Sequence, residues 1–248
     1  AGLPLRQAGV SRIMRESTGW RMEDESGSVI ACAATLVVAA GVATPELLAG
    51  WPLATRRIGG SLLHLEAEAA SLPPLPAIAG AFVIPRPGRR EMPACAVLGA
   101  GHWPVADVPD DAFPRAAGPP EADSLRTTLT ARLARLAPAA AAALAHAPLR
   151  GRFDGLRLAT PDRLPLAGPL WAADETPRLK TLLAQDRRRF LAGLPHEPGL
   201  FVLTGFAGRG FTHAPLAARL LADLLLGDPP ALPPALTAAL HPARMLAR

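Results

Sequence analysis

Apolar residues recur along this chain in two spacings, and the change from one to the other outlines its elements. Residues 10–30 read as two short strands in which Trp20 and Met22 alternate with polar neighbours, closed by a turn at Glu23, Asp24, Glu25, Ser26 and Gly27. The apolar run 30–43 reads as a buried strand centred on 35–39. It is apolar on both faces, as a central parallel strand is. It ends in the small residues Ala40 and Gly41, and Thr44, Pro45 and Glu46 then open a short helix with Thr44 as its cap. Strands follow at 58–65, 81–85 and 94–100, the last two forming an antiparallel hairpin across the turn 86–90. A Pro- and Asp-rich loop covers 104–120. Leu125, Leu129, Leu133 and Leu136 have helical spacing, Pro138 breaks that helix, and 139–147 is a second, alanine-filled one.

A strand at 152–158 leads into the Pro-pinned loop 160–165. Residues 171–198 read as an insertion carrying a helix at 179–191. The buried strand 200–204 runs through a glycine-rich loop, 205–210, into a helix at 214–226 that Gly227 ends, and a last short helix covers 233–240. This order predicts an α/β fold whose first and last parts share one sheet, with an antiparallel α+β domain inserted between them. The expected parts are residues 1–55, 56–150 and 151–248.

Composition narrows the classes. Half of the 248 residues are hydrophobic and 19% are charged, which excludes a disordered chain and supports a real core. The run 30–43 is too short to span a membrane. The first residues lack a signal-peptide pattern, and a start at Ala1 reads as that of a fragment or processed chain. Two cysteines, Cys32 and Cys95, exclude a disulfide scaffold and a Cys-rich zinc site and read as inert core residues. None of the six histidines has i, i+4 spacing with another, so no metal is expected. The net charge is +5, but Lys180 is the one lysine and Tyr and Asn are absent. Such a bias toward Arg, Ala, Pro and Gly is that of GC-rich codons, so the charge alone does not point to nucleic acid. Arg187, Arg188 and Arg189 read as a solvated face.

Three segments can carry chemistry. Glycines at 205, 208 and 210 precede a helix, whose first N–H groups favour a negative group. The spacing is neither G-x-G-x-x-G nor a P-loop, and a tight strand-to-helix turn explains the glycines equally well. Arg157, at a strand end before Asp162, suits a bidentate carboxylate clamp, though an Arg–Asp pair that only orders the loop accounts for it too. The third segment is the small-residue end of the strand at Ala40 and Gly41. No G-x-S-x-G elbow supports a serine hydrolase.

Taken in order, these segments resemble the FAD-dependent D-amino-acid oxidase/glycine oxidase family. The likeness rests on residues 36–41 (LVVAAG), 82–85 (FVIP), 155–168 (GLRLATPDRLPLAG) and 203–216 (LTGFAGRGFTHAPL). The ending 240–244 (LHPAR) is similar to the branch that forms the C-terminal oxidase modules of bifunctional proteins of tRNA wobble-uridine modification. The resemblance implies a Rossmann-like FAD-binding domain with an inserted substrate domain, in the cytoplasm and with tRNA as partner. It implies oxidative removal of the carboxymethyl group from carboxymethylaminomethyluridine. Arg157 matches the carboxylate-binding arginine, and Arg209 would line the ring or substrate. Ala40, Gly41, Asp162, Gly205, Ala207, Gly208, Gly210, Phe211 and Thr212 would hold the flavin. The family's G-x-G-x-x-G is not in this chain, since Gly99-Ala100-Gly101 runs into His102-Trp103-Pro104. By family proportions the chain begins after that first unit, so the adenine and pyrophosphate site is missing or supplied elsewhere, and the partners implied include that N-terminal FAD-binding segment or a methyltransferase module. Two other functions remain open: a small-molecule amine or amino-acid oxidase of the same fold, and a catalytically silent remnant.

Overall fold

Leu125, Leu129 and Leu133 recur every four residues, and in the computed structural model they line the buried side of one helix. The structure describes residues 4–88, 94–105, 119–185 and 194–247. In chain order the first elements are β1 (Arg12–Glu16), β2 (Gly19–Glu23), β3 (Val29–Ala33), β4 (Leu36–Val38) and α1 (Thr44–Leu47). The middle holds β5 (Arg56–Glu66), β6 (Ala77–Ile78), β7 (Phe82–Arg86), β8 (Cys95–Pro104), α2 (Ala122–Leu133), α3 (Pro138–Ala145) and β9 (Leu149–Ala159). The last are β10 (Leu166–Trp171), α4 (Thr176–Gln185), β11 (His196–Thr204), α5 (Gly210–Leu226) and α6 (Pro234–Leu240). The chain divides into two units, 1–56 with 158–248, and 57–157. The sequence suggests a join at 150/151, whereas this division falls at 157/158, within β9.

The first unit holds two three-stranded sheets, β1-β2-β3 and β10-β11-β4. As the sequence suggests, its first and last parts share a sheet: β4 pairs parallel with β11, placing Val37 opposite Phe201. The apolar run 30–43 is not one strand, however. It bends at Ala34 and Thr35, where Gly19 and Gly199 crowd the backbone: a Cβ on either would lie 2.3 or 2.2 Å from a carbonyl of Ala33 or Ala34. Cys32, on β3, is exposed, and Cys95, on β8 of the other unit, is half-buried, so neither is a core residue. β4 is at the edge of the described sheet, not in its middle. β10 is hidden in the sequence by Gly168 and Pro169, which read as loop signals. The core includes Trp20, Leu166, Leu170, Trp171, Leu200 and Val202. The indoles of Trp20 and Trp171 donate to the Pro198 carbonyl (3.0 Å) and the Thr176 hydroxyl (2.8 Å), so no aromatic N–H is buried without an acceptor there.

The second unit is a five-stranded sheet, β6-β7-β8-β5-β9, covered on one face by α2 and α3. The predicted hairpin is β7 and β8, paired antiparallel with Val83 opposite Leu98. Leu63, Leu65, Val83 and Leu98 bury against Leu129 and Leu144. α2 already ends at Leu133, ahead of Pro138, which instead opens α3, since proline at a first turn loses no hydrogen bond. Leu136, beyond the end of α2, is exposed. The turn 86–90, the loop 104–120 and the far end of the helix at 179–191 lie partly outside the described residues, and Arg187, Arg188 and Arg189 wholly so. Among the described residues no helix is long and apolar enough to cross a membrane.

Candidate functional site

Parallel pairing puts the carboxyl ends of β4 and β11 side by side, and parallel sheets present ligand-binding loops at that end. The Thr204 hydroxyl donates to the Gly41 carbonyl (3.4 Å) and accepts from Thr44 (3.3 Å), tying the two strand ends together. Thr44 is therefore the buried first residue of α1 rather than its cap, which is Ala43. Gly205 turns away at φ +76, and a Cβ there would meet Thr160 at 3.1 Å. Phe206 bridges to Ala159, and the Ala207 N–H donates to the Leu158 carbonyl (2.9 Å). The structure thus gathers Ala40, Gly41 and the loops 160–165 and 205–210 at one place in the first unit.

The helix after this loop starts at Gly210, four residues before the start its pattern suggests. The Thr212 and His213 N–H groups close the first turn on the Arg209 carbonyl (3.1 and 2.9 Å). Among the described residues nothing accepts from the N–H groups of Gly208, Gly210 and Phe211. They stand at the positive end of a 17-residue helix, an arrangement that stabilises an anion. Phe211 is fully exposed at this start. The two non-glycine residues with positive φ among those described, Arg163 (62°) and Ala207 (49°), both lie in these adjoining loops. Each costs on the order of 1 kcal/mol, and such strain collects where loops serve a ligand. Neither Arg163 nor Arg209 has a carboxylate partner among the described residues.

Asp162 sits in the same cluster, but its carboxylate is held by the protein. It accepts from the Leu164 N–H (3.1 Å) and from Arg244 through Nε (2.9 Å) and Nη2 (3.2 Å). Arg244 also donates to the carbonyls of Leu164 (2.7 Å) and His241 (3.3 Å). Burial would raise the Asp162 pKa, but Arg244, Leu164 and Thr160 outweigh it and bring it from 3.8 to about 2. The ordering pair in this loop is thus Asp162–Arg244. The C-terminal HPAR stretch is half of it, a role that 82 residues of separation hide in the sequence. Beside it His241 accepts from the Ala243 N–H (3.1 Å) and its Nε2 lies 3.4 Å from that of His196. Burial, then the nearby His196 and Arg244, lower the His241 pKa to about 3.

Arg157 belongs to the second unit. Its guanidinium lies against β5 at Gly60, where a Cβ would be 2.5 Å from Nη2, and its Nη1 is 3.5 Å from His102 Nε2. Partial burial, then the charges of Arg157 and Arg132, lower the His102 pKa, so a neutral imidazole can accept from the arginine. Among the described residues Arg157 has no carboxylate partner, which leaves the rest of its fork for an anionic ligand. Gly60 and His102 were not legible as site residues, because the register Gly60–His102 across β5 and β8 is what brings them together.

The family model described as FAD dependent oxidoreductase matches residues 2–224 of the chain. Over 239 residues the chain is 34% identical to the tRNA 5-methylaminomethyl-2-thiouridine biosynthesis bifunctional protein of Aromatoleum aromaticum, covering 96% of this chain and 34% of the relative. A Burkholderia mallei protein of the same name is 36% identical over 242 residues, with the same coverage. The chain therefore spans about a third of the length of these curated relatives. Among solved structures, glycine oxidase from Geobacillus kaustophilus superposes with a TM-score of 0.62 at 23% identity, covering 92% of this chain and 50% of that one. Iminodiacetate oxidase from Chelativorans sp. gives 0.59 at 20%, covering 92% and 51%. The fold is thus the mixed α/β fold of these oxidases over about half of their length.

Proposed function

The chain belongs to the FAD dependent oxidoreductase family, and from that premise we propose that it oxidises a carboxymethylamino group on tRNA. The substrate in this reading is carboxymethylaminomethyluridine, with or without 2-thiolation, at the wobble position, and the place is the cytoplasm. The observation that carries the reading is the set of N–H groups at Gly208, Gly210 and Phe211 that find no acceptor among the described residues, beside the joined ends of β4 and β11. An anionic ring edge, such as that of a reduced flavin, is what these donors suit. Bound FAD would supply the two-electron oxidation of the bond between nitrogen and the carboxymethyl carbon. Water then releases glyoxylate and leaves an aminomethyl group on the nucleoside.

The chain's residues have separate tasks. Gly205 and Ala207 shape the loop, Gly41 and Ala40 leave room at the end of β4, and the start of α5 neutralises charge. Thr212 closes the first helical turn, and Phe211 offers an exposed aromatic face. Asp162 acts through Arg244 by pinning the neighbouring loop. Arg157 holds the substrate carboxylate. Arg163 and Arg209, on adjoining loops and without a carboxylate partner among the described residues, supply cations for a phosphate-bearing substrate.

The test is to load the protein with FAD and exclude oxygen, then offer undermodified tRNA or free sarcosine. Bleaching of the flavin by the tRNA is the expected result. Bleaching by sarcosine alone replaces tRNA with a small amine as substrate, the reading that the glycine-like fit of Arg157 also supports.

A further inference from the structure

Two adjacent glycines in the middle of a strand need an explanation, because glycine weakens a strand and offers no side chain to pack. Gly59 and Gly60 lie in β5 and neither has a positive φ, so no turn or bulge conformation demands them. What demands them is on either face of the strand. A Cβ on Gly59 would lie 2.2 Å from the Trp103 ring, and a Cβ on Gly60 would lie 2.5 Å from Arg157 Nη2 and 3.1 Å from its Cζ. Successive residues of a strand point to opposite faces. The indole therefore lies flat on one face of β5 and the guanidinium on the other. The indole is fixed, since its Nε1 donates to the buried Ser61 hydroxyl (3.0 Å), which donates in turn to Asp154 (2.5 Å). The guanidinium rests against the bare backbone at Gly60, with its Nη1 3.5 Å from His102 Nε2.

We propose that Gly60 is a positioning residue for substrate: by lacking a side chain it sets where the Arg157 guanidinium lies, and so which carboxylates the arginine can clamp. The proposal rests on the reading of Arg157 as the carboxylate-binding residue. A methyl group at Gly60 must push Nη2 away by about an ångström to reach ordinary contact. Nη2 is the far end of a flexible side chain, so the strand tolerates the change while the fork moves. A bidentate clamp does not tolerate it, because binding geometry is lost within about 0.5 Å. Gly59 is the opposite case, since a methyl there meets a ring held in place by Ser61.

The test is calorimetric titration of the purified full chain with glycolate as a simple carboxylate probe, alongside thermal unfolding. Gly60→Ala is expected to weaken glycolate binding roughly ten- to a hundredfold, the scale on which a 1 Å misplacement acts, while the melting temperature stays at the wild-type value. Arg157→Ala is expected to abolish binding. Unchanged affinity in Gly60→Ala, with binding lost in Arg157→Ala, overturns the positioning role and leaves the clamp standing. Wild-type affinity in Arg157→Ala, or no binding by the unaltered protein, overturns both. Should Gly60→Ala lower the melting temperature, the double variant with Arg157→Ala decides. A seat for the guanidinium requires the added methyl to cost nothing once the guanidinium is gone, and a persisting cost overturns the proposal.

Discussion

Removing the Arg244 side chain separates loop-ordering from chemistry in the first unit. Arg244→Met keeps most of the apolar stem and deletes every donor. Asp162 then loses both bonds of its guanidinium partner, at 2.9 and 3.2 Å, and the carbonyls of Leu164 and His241 lose theirs. The two side chains are 11% and 14% exposed, so water replaces little of this. The fall of the Asp162 pKa from 3.8 to about 2 corresponds to about 2.4 kcal/mol at ~1.36 kcal/mol per unit, of which the share from Leu164 and Thr160 survives the change. Breaking a buried pair typically costs about 3–5 kcal/mol. A loss of about 3 kcal/mol at pH 7 is therefore expected, read by urea unfolding followed through the four tryptophans. Asp162→Asn and the double variant complete a cycle. The pair predicts that the double variant is hardly worse than the poorer single one. A loss below about 1 kcal/mol in Arg244→Met, or strictly additive effects, would mean that the pair does not order the loop.

Acid unfolding should show two windows. His241 has a lowered pKa, so its neutral burial favours the fold fully above pH 6.5, and that contribution drains away as pH falls toward about 3, by at most about 5 kcal/mol. Asp162 adds its own loss only below about pH 4, as pH falls through 3.8 toward about 2. A flat stability profile between pH 6.5 and 4 would contradict the His241 part. Gly205→Ala should destabilise by about 1–2 kcal/mol, because φ is +76 and the new Cβ meets Thr160; a variant as stable as the parent in thermal unfolding speaks against a strained turn. Arg157→Ala should raise the substrate concentration needed for flavin reduction far more than it lowers flavin content, and equal loss of both would exclude the clamp. Cys32 should react with a thiol reagent in the native protein faster than Cys95, in keeping with its exposure.

The sequence revealed elements where packing is local and hid them where partners are distant. The spacing of Leu125, Leu129 and Leu133 is read on one helix face and needs no tertiary knowledge. The strand–glycine loop–helix unit at β11 and α5 was equally legible, although Pro215 masked the first turn of the helix. β10 was not, because Gly168 and Pro169 are loop formers that a close neighbour makes tolerable: a Cβ at Gly168 would lie 3.4 Å from Pro242. The gathering of loops 160–165 and 205–210 follows from the pairing of Leu166 with Thr204 at the ends of β10 and β11, together with the bridge between Ala159 and Phe206 and the Ala207–Leu158 bond. The partner of Asp162 lies 82 residues on, and the seat of Arg157 depends on register between β5 and β8. No spacing rule encodes either.

Whether this chain is itself a flavoprotein is decided most directly by titrating the purified, colourless or stripped protein with FAD and following the visible absorption of the bound cofactor. Saturable uptake that turns the protein yellow is expected, weakened when Gly210 is replaced by glutamate, whose charge opposes an anion at the start of α5. A protein that takes up no FAD at high concentration, or one indifferent to the Gly210→Glu change, would contradict that expectation.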